Sequence, residues 1–421
     1  MKFAVADCTF AKDEAQGLAG SWLLWELQQA KIDPVPVPEA DVILCTLNSI
    51  TRLPTLRRMT RTAKKDAKVV VGGPSAYAPA SFEQLADVFC VGEGVDFLRT
   101  LLQDGYDAAC QRPEAWVPGE SRQVTPGRTF PWEMPPVKRN DGAVQIFASR
   151  GCKKACLFCT EAWAAPFQQH PDPAVPLRHS QQLRQRGYRV AVGTNDAEYD
   201  SLELMRGTTA INVGLKGLRK ALEMGIIGRK KCRTVRLGVD AISERLRAAV
   251  GKPLSNQQLV DITAELIAQK VTVQWFFIVG LPCENDDDYL EARDMTGLLH
   301  RTLAKGCVMS VFHSFDPHPS TPLGIFGIED EYEGRFRAYY DWWARGIGFT
   351  PRQVLRKTSS AATRFKRALT YMGGSPEQVR AGWFENTNPN WRIKYRKTPA
   401  ALRKVATAYR AKLAGAAGAN A

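Results

Sequence analysis

A chain that must gather three thiolates on one short loop has few ways to fold around them. Residues Ser149–Cys159 read S-R-G-C-K-K-A-C-L-F-C, so Cys152, Cys156 and Cys159 stand at C-x3-C-x2-C spacing. They follow an apolar, strand-like run, Val144–Ala148, across an Arg150-Gly151 turn. The thiols therefore fall on a loop at the C-terminal end of a strand, where α/β folds place their chemistry. Cysteine sulfur is the usual ligand of iron–sulfur clusters, and three cysteines can hold three corners of a four-iron cube. The fourth iron is then left open, as reactive metal positions are. A zinc site would need a fourth ligand, and no second C-x-x-C or H-x3-H pair stands nearby to supply it. Buried structural thiols are the plainer alternative.

Strands alternate with helices on both sides of this loop. From the N-terminus, Lys2–Val5, Asp41–Leu44, Val69–Val71 and Asp87–Val91 read as strands. Gly17–Gln29, Thr51–Thr62 and Val95–Leu102 read as helices between and after them. This pattern over residues 1–110 predicts a doubly wound parallel sheet, with ligand-binding glycine turns at Gly72-Gly73 and Gly92-Glu93-Gly94. Residues 111–143 are rich in proline and polar groups and read as a linker. From 144 to 325, strands at Arg189–Val192, Thr234–Asp240, Val271–Val279 and Val308–Phe312 alternate with helices, which predicts a partial (β/α)6-type barrel. The excursion Glu161–Gln182 reads as a loop over the catalytic face, with His170 and His179 as solvated histidines. Cys8, Cys45, Cys90, Cys110, Cys232 and Cys307 lie in or near apolar strands and read as core thiols.

The three-cysteine loop resembles the signature of the radical SAM superfamily. The resemblance implies a 4Fe–4S cluster on Cys152, Cys156 and Cys159, with S-adenosylmethionine (SAM) chelating the open iron. It also implies reductive cleavage of SAM to a 5′-deoxyadenosyl radical, fed by an electron donor such as flavodoxin or ferredoxin. Phe158 stands where that family packs its loop near the adenine. Two further strand ends carry the likeness. G-V-D-A-I-S-E-R-L-R with the following G-K-P implies SAM contacts at Asp240 and Ser243, with Arg247 or Lys252 as a second choice. F-I-V-G-L-P-C-E resembles the element near the adenine, at Gly280, with Cys283 where a glycine is usual.

The pair V-V-V-G-G-P and D-V-F-C-V-G-E-G resembles the cobalamin-binding domain that precedes many radical SAM cores. Too few residues separate Pro34–Val37 from Asp41 for the helix that domain carries there, so the expectation is that cobalamin is not bound or not needed. The shortened layout is equally similar to the first domain of methylthiotransferases. Those carry a second cluster on three cysteines, whereas here Cys8 alone is in place and Asn48 and Pro74 occupy the other two positions.

The formal net charge of +14 is concentrated at one end: residues 331–421 hold 18 Lys/Arg against 5 Asp/Glu, leaving 39 against 38 in residues 1–330. Arg364, Lys366, Arg367, Arg403, Lys404 and Arg410 are interleaved with Phe365, Tyr371, Trp383 and Trp391. Residues 326–421 thus read as a basic, mainly helical segment, and cations with stacking rings favour nucleic acid as the partner of residues 331–421. The reading that follows is modification of a nucleic acid base, or of a group attached to one, as in DNA hypermodification or tRNA modification. Hydrogen abstraction and rearrangement would be the chemistry, making the enzyme an isomerase or transferase. Two alternatives stay open: a cobalamin-dependent radical SAM methyltransferase acting on a small molecule or peptide, and a nucleic-acid-binding protein with a structural cluster only. Scattered cysteines and the absence of a signal or membrane-spanning pattern point to the cytoplasm, the host's if the chain is virus-encoded.

Anaerobic reconstitution should load about four irons per chain. Cys156→Ala should remove both the cluster absorbance and the formation of 5′-deoxyadenosine; full SAM cleavage by that variant would exclude the cluster assignment.

Overall fold

The computed structural model describes residues 1–8, 18–132, 137–138, 143–163, 167–193, 202–206, 208, 210–228, 232–302, 308–318, 320–326 and 399–418. The basic residues from Arg335 to Lys397 on which the nucleic-acid expectation mainly stands, and Cys307, lie outside these.

The first sheet is built from β1 (Phe3–Asp7), β2 (Val42–Thr46), β3 (Lys68–Gly72), β4 (Val88–Cys90) and β5 (Ala115–Trp116), hydrogen-bonded in that order. The first four are parallel, and β5 closes the edge antiparallel. Every residue of β2 is buried, as expected of a strand covered on both faces. On one face Val42, Leu44, Val70 and Val88 pack with Leu23 and Leu27 of α1 (Leu18–Gln29) and with Phe97, Leu98 and Leu101 of α3 (Val95–Asp104). On the other, Ile43, Cys45, Val71 and Phe89 pack with Leu53 and Leu56 of α2 (Leu53–Thr60) and with Phe82. The short α4 (Tyr106–Cys110) leads into β5.

The helix that the sequence lacks after Val37 is indeed absent; a single 3-10 turn, Val37–Glu39, stands in its place. The topology survives the loss. Val35 N–H donates to the Phe3 carbonyl at 2.8 Å, on the side of β1 away from β2. The chain therefore leaves β1 through α1 to one side, touches the edge at Val35, and crosses back to β2 on the other side. That reversal is the switch point of a doubly wound sheet, between the C-terminal ends of β1 and β2.

Residues 111–143 do more than link. Besides β5, Gly127 forms a backbone bridge with Gly92, and β6 (Val137–Lys138) pairs antiparallel with β7 (Val144–Phe147). The second layer of strands then runs β7, β10 (Val190–Gly193), β11 (Ala210–Val213), β12 (Thr234–Ala241), β13 (Thr272–Val279) and β14 (Val308–Ser314). These six are parallel where they pair, in two groups: β7 with β10, and β11-β12-β13-β14. The succession is that of a partial barrel, and among the described residues no pairing joins β10 to β11. A two-residue ladder, β8 (Ser149–Arg150) with β9 (Gln168–Gln169), braces the start of the cysteine loop. The excursion after the cysteines contains α5 (Thr160–Trp163) and α6 (Ala174–Gln185), so His179 is helical and only His170 sits on a loop.

Helices α7 (Leu215–Glu223), α8 (Glu244–Ala249), α9 (Asn256–Ala268) and α10 (Asp286–Thr302) cover one face of the four-stranded sheet. Alternate residues Val235, Leu237, Val239, Val273, Trp275, Phe277 and Val279 enter that core, as the two-residue period of a strand requires. A last helix, α11 (Pro399–Gly418), docks on the barrel through Ala406, Tyr409 and Leu413, all buried at helical spacing. The Tyr409 hydroxyl donates to the Pro282 carbonyl at 2.7 Å, Lys412 to the Ala248 carbonyl at 2.8 Å, and the Arg410 guanidinium lies 4.1 Å from the Phe326 ring centre. This described part of the basic segment is a cap on the barrel. No described helix is long and apolar enough to cross a membrane.

The two units meet through the C-terminal edges of their sheets. One apolar cluster runs from Ala6, Cys45 and Val71 of the first sheet to Trp275 and Val279 of the second. Ser49, beyond β2, donates to the Asp316 carboxylate beyond β14, and Glu93, beyond β4, pairs with Arg150 at 3.2 Å. Gly92 and Gly127 hold Glu93 in place, since Glu93 N–H donates to Gly127 O and Gly127 N–H to Val91 O, each at 2.9 Å. A Cβ on Gly127 would stand 2.1 Å from the Glu93 carbonyl oxygen. Gly127→Ala should therefore force two backbones apart and destabilise the protein by about 1–3 kcal/mol, read as a lower midpoint in denaturant titration.

Candidate functional site

The cysteine loop lies under strand ends from both units. Cys152 and Cys156 are buried and Cys159 half-buried. The loop's backbone is tied on several sides. Leu157 N–H donates to Val250 O at 3.4 Å, Leu323 N–H to Leu157 O at 3.2 Å, and the Trp163 indole N–H to Cys156 O at 2.8 Å. Lys154 N–H points at Cys152 Sγ, 3.4 Å away. Burial pushes the Cys156 thiol up to about 11, against the pull of Lys252, and the Cys159 thiol up to about 12. Metal binding at Cys156 and Cys159 therefore releases their protons. Among the described residues no three Cys, His, Asp or Glu side chains converge on a point that would hold a single ion. Phe158 is half-buried and packs against the main core beside the cysteines.

The structure brings Asp240 to this loop. It is the last but one residue of β12, with φ +66° just after a register shift between Gly238 and Asp240, and its carboxylate pairs with Lys252. Both charges act on Cys156. A Cβ on Gly238 would lie 3.3 Å from Lys252 Nζ and 3.5 Å from Asp240 Oδ1, so the ion pair takes up the space beside this glycine. Lys252, rather than Arg247, is thus the cation beside the cluster loop. Arg247 is wholly buried and braces the turn after α8, donating to Leu254 O at 2.6 Å and Ala241 O at 3.3 Å.

Ser243, the other expected SAM contact, is also fully buried, for a local reason. It is the N-cap of α8, accepting from Leu246 N–H and donating to Asp288 Oδ1. Asp288 in turn pairs with Arg245, whose guanidinium reaches Cys283 O at 2.9 Å. The Ser243 hydroxyl is committed to this network, which ties β12's end to β13's.

At that second end, Gly280 has φ +85° and Cys283 φ +67°. A glycine is usual at position 283 because the left-handed conformation burdens any side chain with a Cβ. The turn closes on Glu284, a residue the sequence reading passed over. Its buried carboxylate accepts from Gly280 N–H at 2.8 Å, Leu281 N–H at 2.9 Å and Tyr289 O–H at 2.7 Å. A glutamate two residues past a G-L-P turn was the available signal. Cys8, by contrast, is core: fully buried, with Sγ against Ala6 O and Met59 Sδ, each 3.8 Å away.

Residues 146–296 match the Radical SAM superfamily, and this central segment is a radical SAM domain. Over 329 residues the chain is 20% identical to bacteriochlorophyllide d C-12(1)-methyltransferase of Chlorobaculum tepidum, covering 72% of this chain and 68% of that protein. Among solved structures, the radical SAM methyltransferase TsrM of Kitasatospora setae, with cobalamin and a 4Fe–4S cluster bound, is 15% identical with a TM-score of 0.53, over 77% of this chain and 74% of that one. The cobalamin-dependent radical SAM enzyme OxsB with aqua-cobalamin bound is 11% identical with a TM-score of 0.53, over 100% of this chain and 81% of that one. These structural likenesses are of fold, and they extend through the first sheet as well as the barrel.

Burial raises the Glu284 carboxyl from 4.5 to about 7, opposed by its three donors. A folded value above the unfolded one means that the native state binds the proton more tightly, so this contribution is whole below about pH 4.5 and lost as pH rises through about 7. Stability should fall across that window, and Glu284→Gln should flatten the fall. Equal slopes in denaturant titrations of the two proteins from pH 4.5 to 8 would disprove the account.

Proposed function

We propose that the protein is a cobalamin-dependent radical SAM methyltransferase. The observation that carries this reading is the apposition of two sheet edges. Strand ends of the first sheet face strand ends of the barrel, with Ser49 clasped to Asp316 beyond β14 and Glu93 to Arg150 at the start of the cysteine loop. A doubly wound sheet binds its ligand at the switch point, so a corrinoid held there would lie between the domains, opposite the cluster.

The residues at that edge fit a large flat ligand. Gly72 ends β3 with nothing within 4 Å of the place its Cβ would take. Ser75, wholly buried just beyond it, has a hydroxyl with no hydrogen-bond partner among the described residues. Gly73, at φ +98°, brings the backbone within reach of Leu47 O and Asn48 Oδ1. Asn48, Gly72, Gly73 and Ser75 are the residues that would hold it. The short crossing at Val37–Glu39 leaves this edge untouched, which removes the argument made against cobalamin from the missing helix. The relatives whose names include methyltransferase or cobalamin support the same choice over nucleic acid modification.

When bound, the corrinoid supplies a methyl carrier, and the cluster with SAM supplies the methyl group and one-electron chemistry. The chain's own part is placement. Cys152, Cys156 and Cys159 hold the cluster in a buried setting. Asp240 and Lys252 present paired charges where the amino and carboxylate groups of SAM would sit. Glu284 locks the Gly280–Leu281 turn, and α11 covers the outside of that turn through Tyr409 and Pro282.

Full-length protein, reconstituted with iron, sulfide and hydroxocobalamin and then gel-filtered, should retain about one corrinoid per chain by visible spectroscopy. S-adenosylhomocysteine should form from SAM under reducing conditions only when the corrinoid is present. Ser75→Phe should lose the corrinoid and keep the cluster. A protein that retains no corrinoid and converts SAM to 5′-deoxyadenosine alone would overturn the methyl-transfer reading.

A further inference from the structure

The four-stranded sheet β11-β12-β13-β14 has a second face, turned away from α7–α10. Parallel strands in register put paired residues on the same face, so that face can be read directly. Asn212 pairs with Arg236, Arg236 with Gln274, Gly238 with Phe276, and Ile278 with His313. The alternate residues of β12 and β13 are buried against the helices, whereas Arg236, Gly238, Gln274, Phe276 and Ile278 are half-exposed and Asn212 and His313 exposed. A solvent-accessible face in the middle of a parallel domain calls for a ligand, because such sheets are otherwise covered on both sides.

The face is arranged in levels. Uppermost, beside the cluster loop, are Asp240 and Lys252. One level down, the Phe276 and His313 rings lie parallel, 7° apart in tilt with centroids at 5.6 Å, with Phe276 paired in register with Gly238. A further two residues down, about 7 Å along the strand, Arg236 Nε donates to Gln274 Oε1 at 3.1 Å. Among the described residues Arg236 has no carboxylate partner. A half-buried guanidinium satisfied at Nε alone keeps its remaining N–H groups for another acceptor, and a guanidinium is best matched by a carboxylate.

We propose that this face is the substrate pocket, and that the substrate is a flat ring system carrying an anionic group. The ring would lie against Phe276 and His313, below the Asp240–Lys252 pair, with the anion on Arg236, Gln274 and Asn212. The assignment rests on the methyl-transfer reading for its use and names that enzyme's substrate class. SAM belongs one level higher, at Asp240–Lys252, so the acceptor atom is held below the cluster rather than beside it.

The probes are naphthalene-2-carboxylate and its neutral counterpart 2-naphthamide, with binding to full-length cluster-loaded protein read by ligand-observed NMR with SAM present. The carboxylate should bind at least tenfold more tightly than the amide. Arg236→Met should abolish that preference by weakening the carboxylate about tenfold, the loss of one charge-assisted contact. Arg236→Lys should restore part of it. Phe276→Leu and His313→Ala should weaken both probes alike, and His313, being exposed, can be removed without disturbing the core. SAM affinity should hold within about twofold in all four variants. Equal binding of the two probes, or binding of neither, would overturn the proposal. So would loss of SAM affinity in Arg236→Met, which would give the face to the cofactor. Corrinoid-dependent formation of S-adenosylhomocysteine by the unmodified protein is scored without the probes, so failure here leaves the methyl-transfer test standing.

Discussion

Two parallel sheets meet at their C-terminal edges, and the rest of the molecule follows from that meeting. The C-terminal end of a parallel strand is where side chains and backbone amides converge without completing a ladder, so it is the natural place for ligands. Facing two such edges toward each other places the turn after β2 against the end of β14 and the turn after β4 against the start of the cysteine loop after β7. The apolar cluster common to both units makes the arrangement one body. Glu93–Arg150 and Ser49–Asp316 then set its register. Arg150 is also stacked over Phe130 and Phe147, at 5.2 and 5.9 Å, and stands two residues before Cys152. The contact that joins the units thus also anchors the loop that would carry the cluster.

Burial around that loop explains much of the electrostatics. Thiols and a carboxylate that would ionise readily in water are pushed up, and Lys252 and Asp240 are held as a pair at the strand end. Such a place disfavours isolated charge and favours groups that arrive with partners, as a cluster bound to three thiolates does. The network Ser243–Asp288–Arg245, with Glu284 beside it, meets the same demand by other means. Each buried polar group there has a donor or acceptor within hydrogen-bond reach, which stiffens the turns that border the site.

Much of this was legible from residue order. The strand ends of the first sheet and the cysteine loop stand where the glycine turns and the C-x3-C-x2-C spacing put them. Where the structure adds to the linear reading, the reasons are physical. The short crossing at Val37–Glu39 looked like a damaged cofactor domain, because a missing helix is visible in sequence and the strand order of the folded sheet is not. Ser243 looked like a ligand contact, because a residue beside a strand end is ambiguous until burial and its cap are known. Residues 111–143, with their prolines, looked like an open linker, yet Gly127 and Trp116 pack into the first sheet. The basic charge drew attention to a nucleic acid, whereas the described helix α11 spends Tyr409, Arg410 and Lys412 on holding the barrel.

What the sequence determined by itself is the local chemistry: three thiolates on a strand-end loop, alternating strands and helices, and glycines where the backbone must turn left-handed or approach closely. Those features depend on spacing within a dozen residues, so they survive being read in one dimension. Tertiary structure decided everything that depends on which distant segments meet. Asp240 and Lys252 are twelve residues apart and pair only because β12 bulges toward the turn after α8. Arg236, Gln274, Phe276 and His313 share a face only because three parallel strands are in register, and a one-residue slip would send each to the helix side. Glu93 reaches Arg150 across 57 positions because two sheets present the same edge to each other. The elements came from local spacing; the site exists because packing brought their ends together.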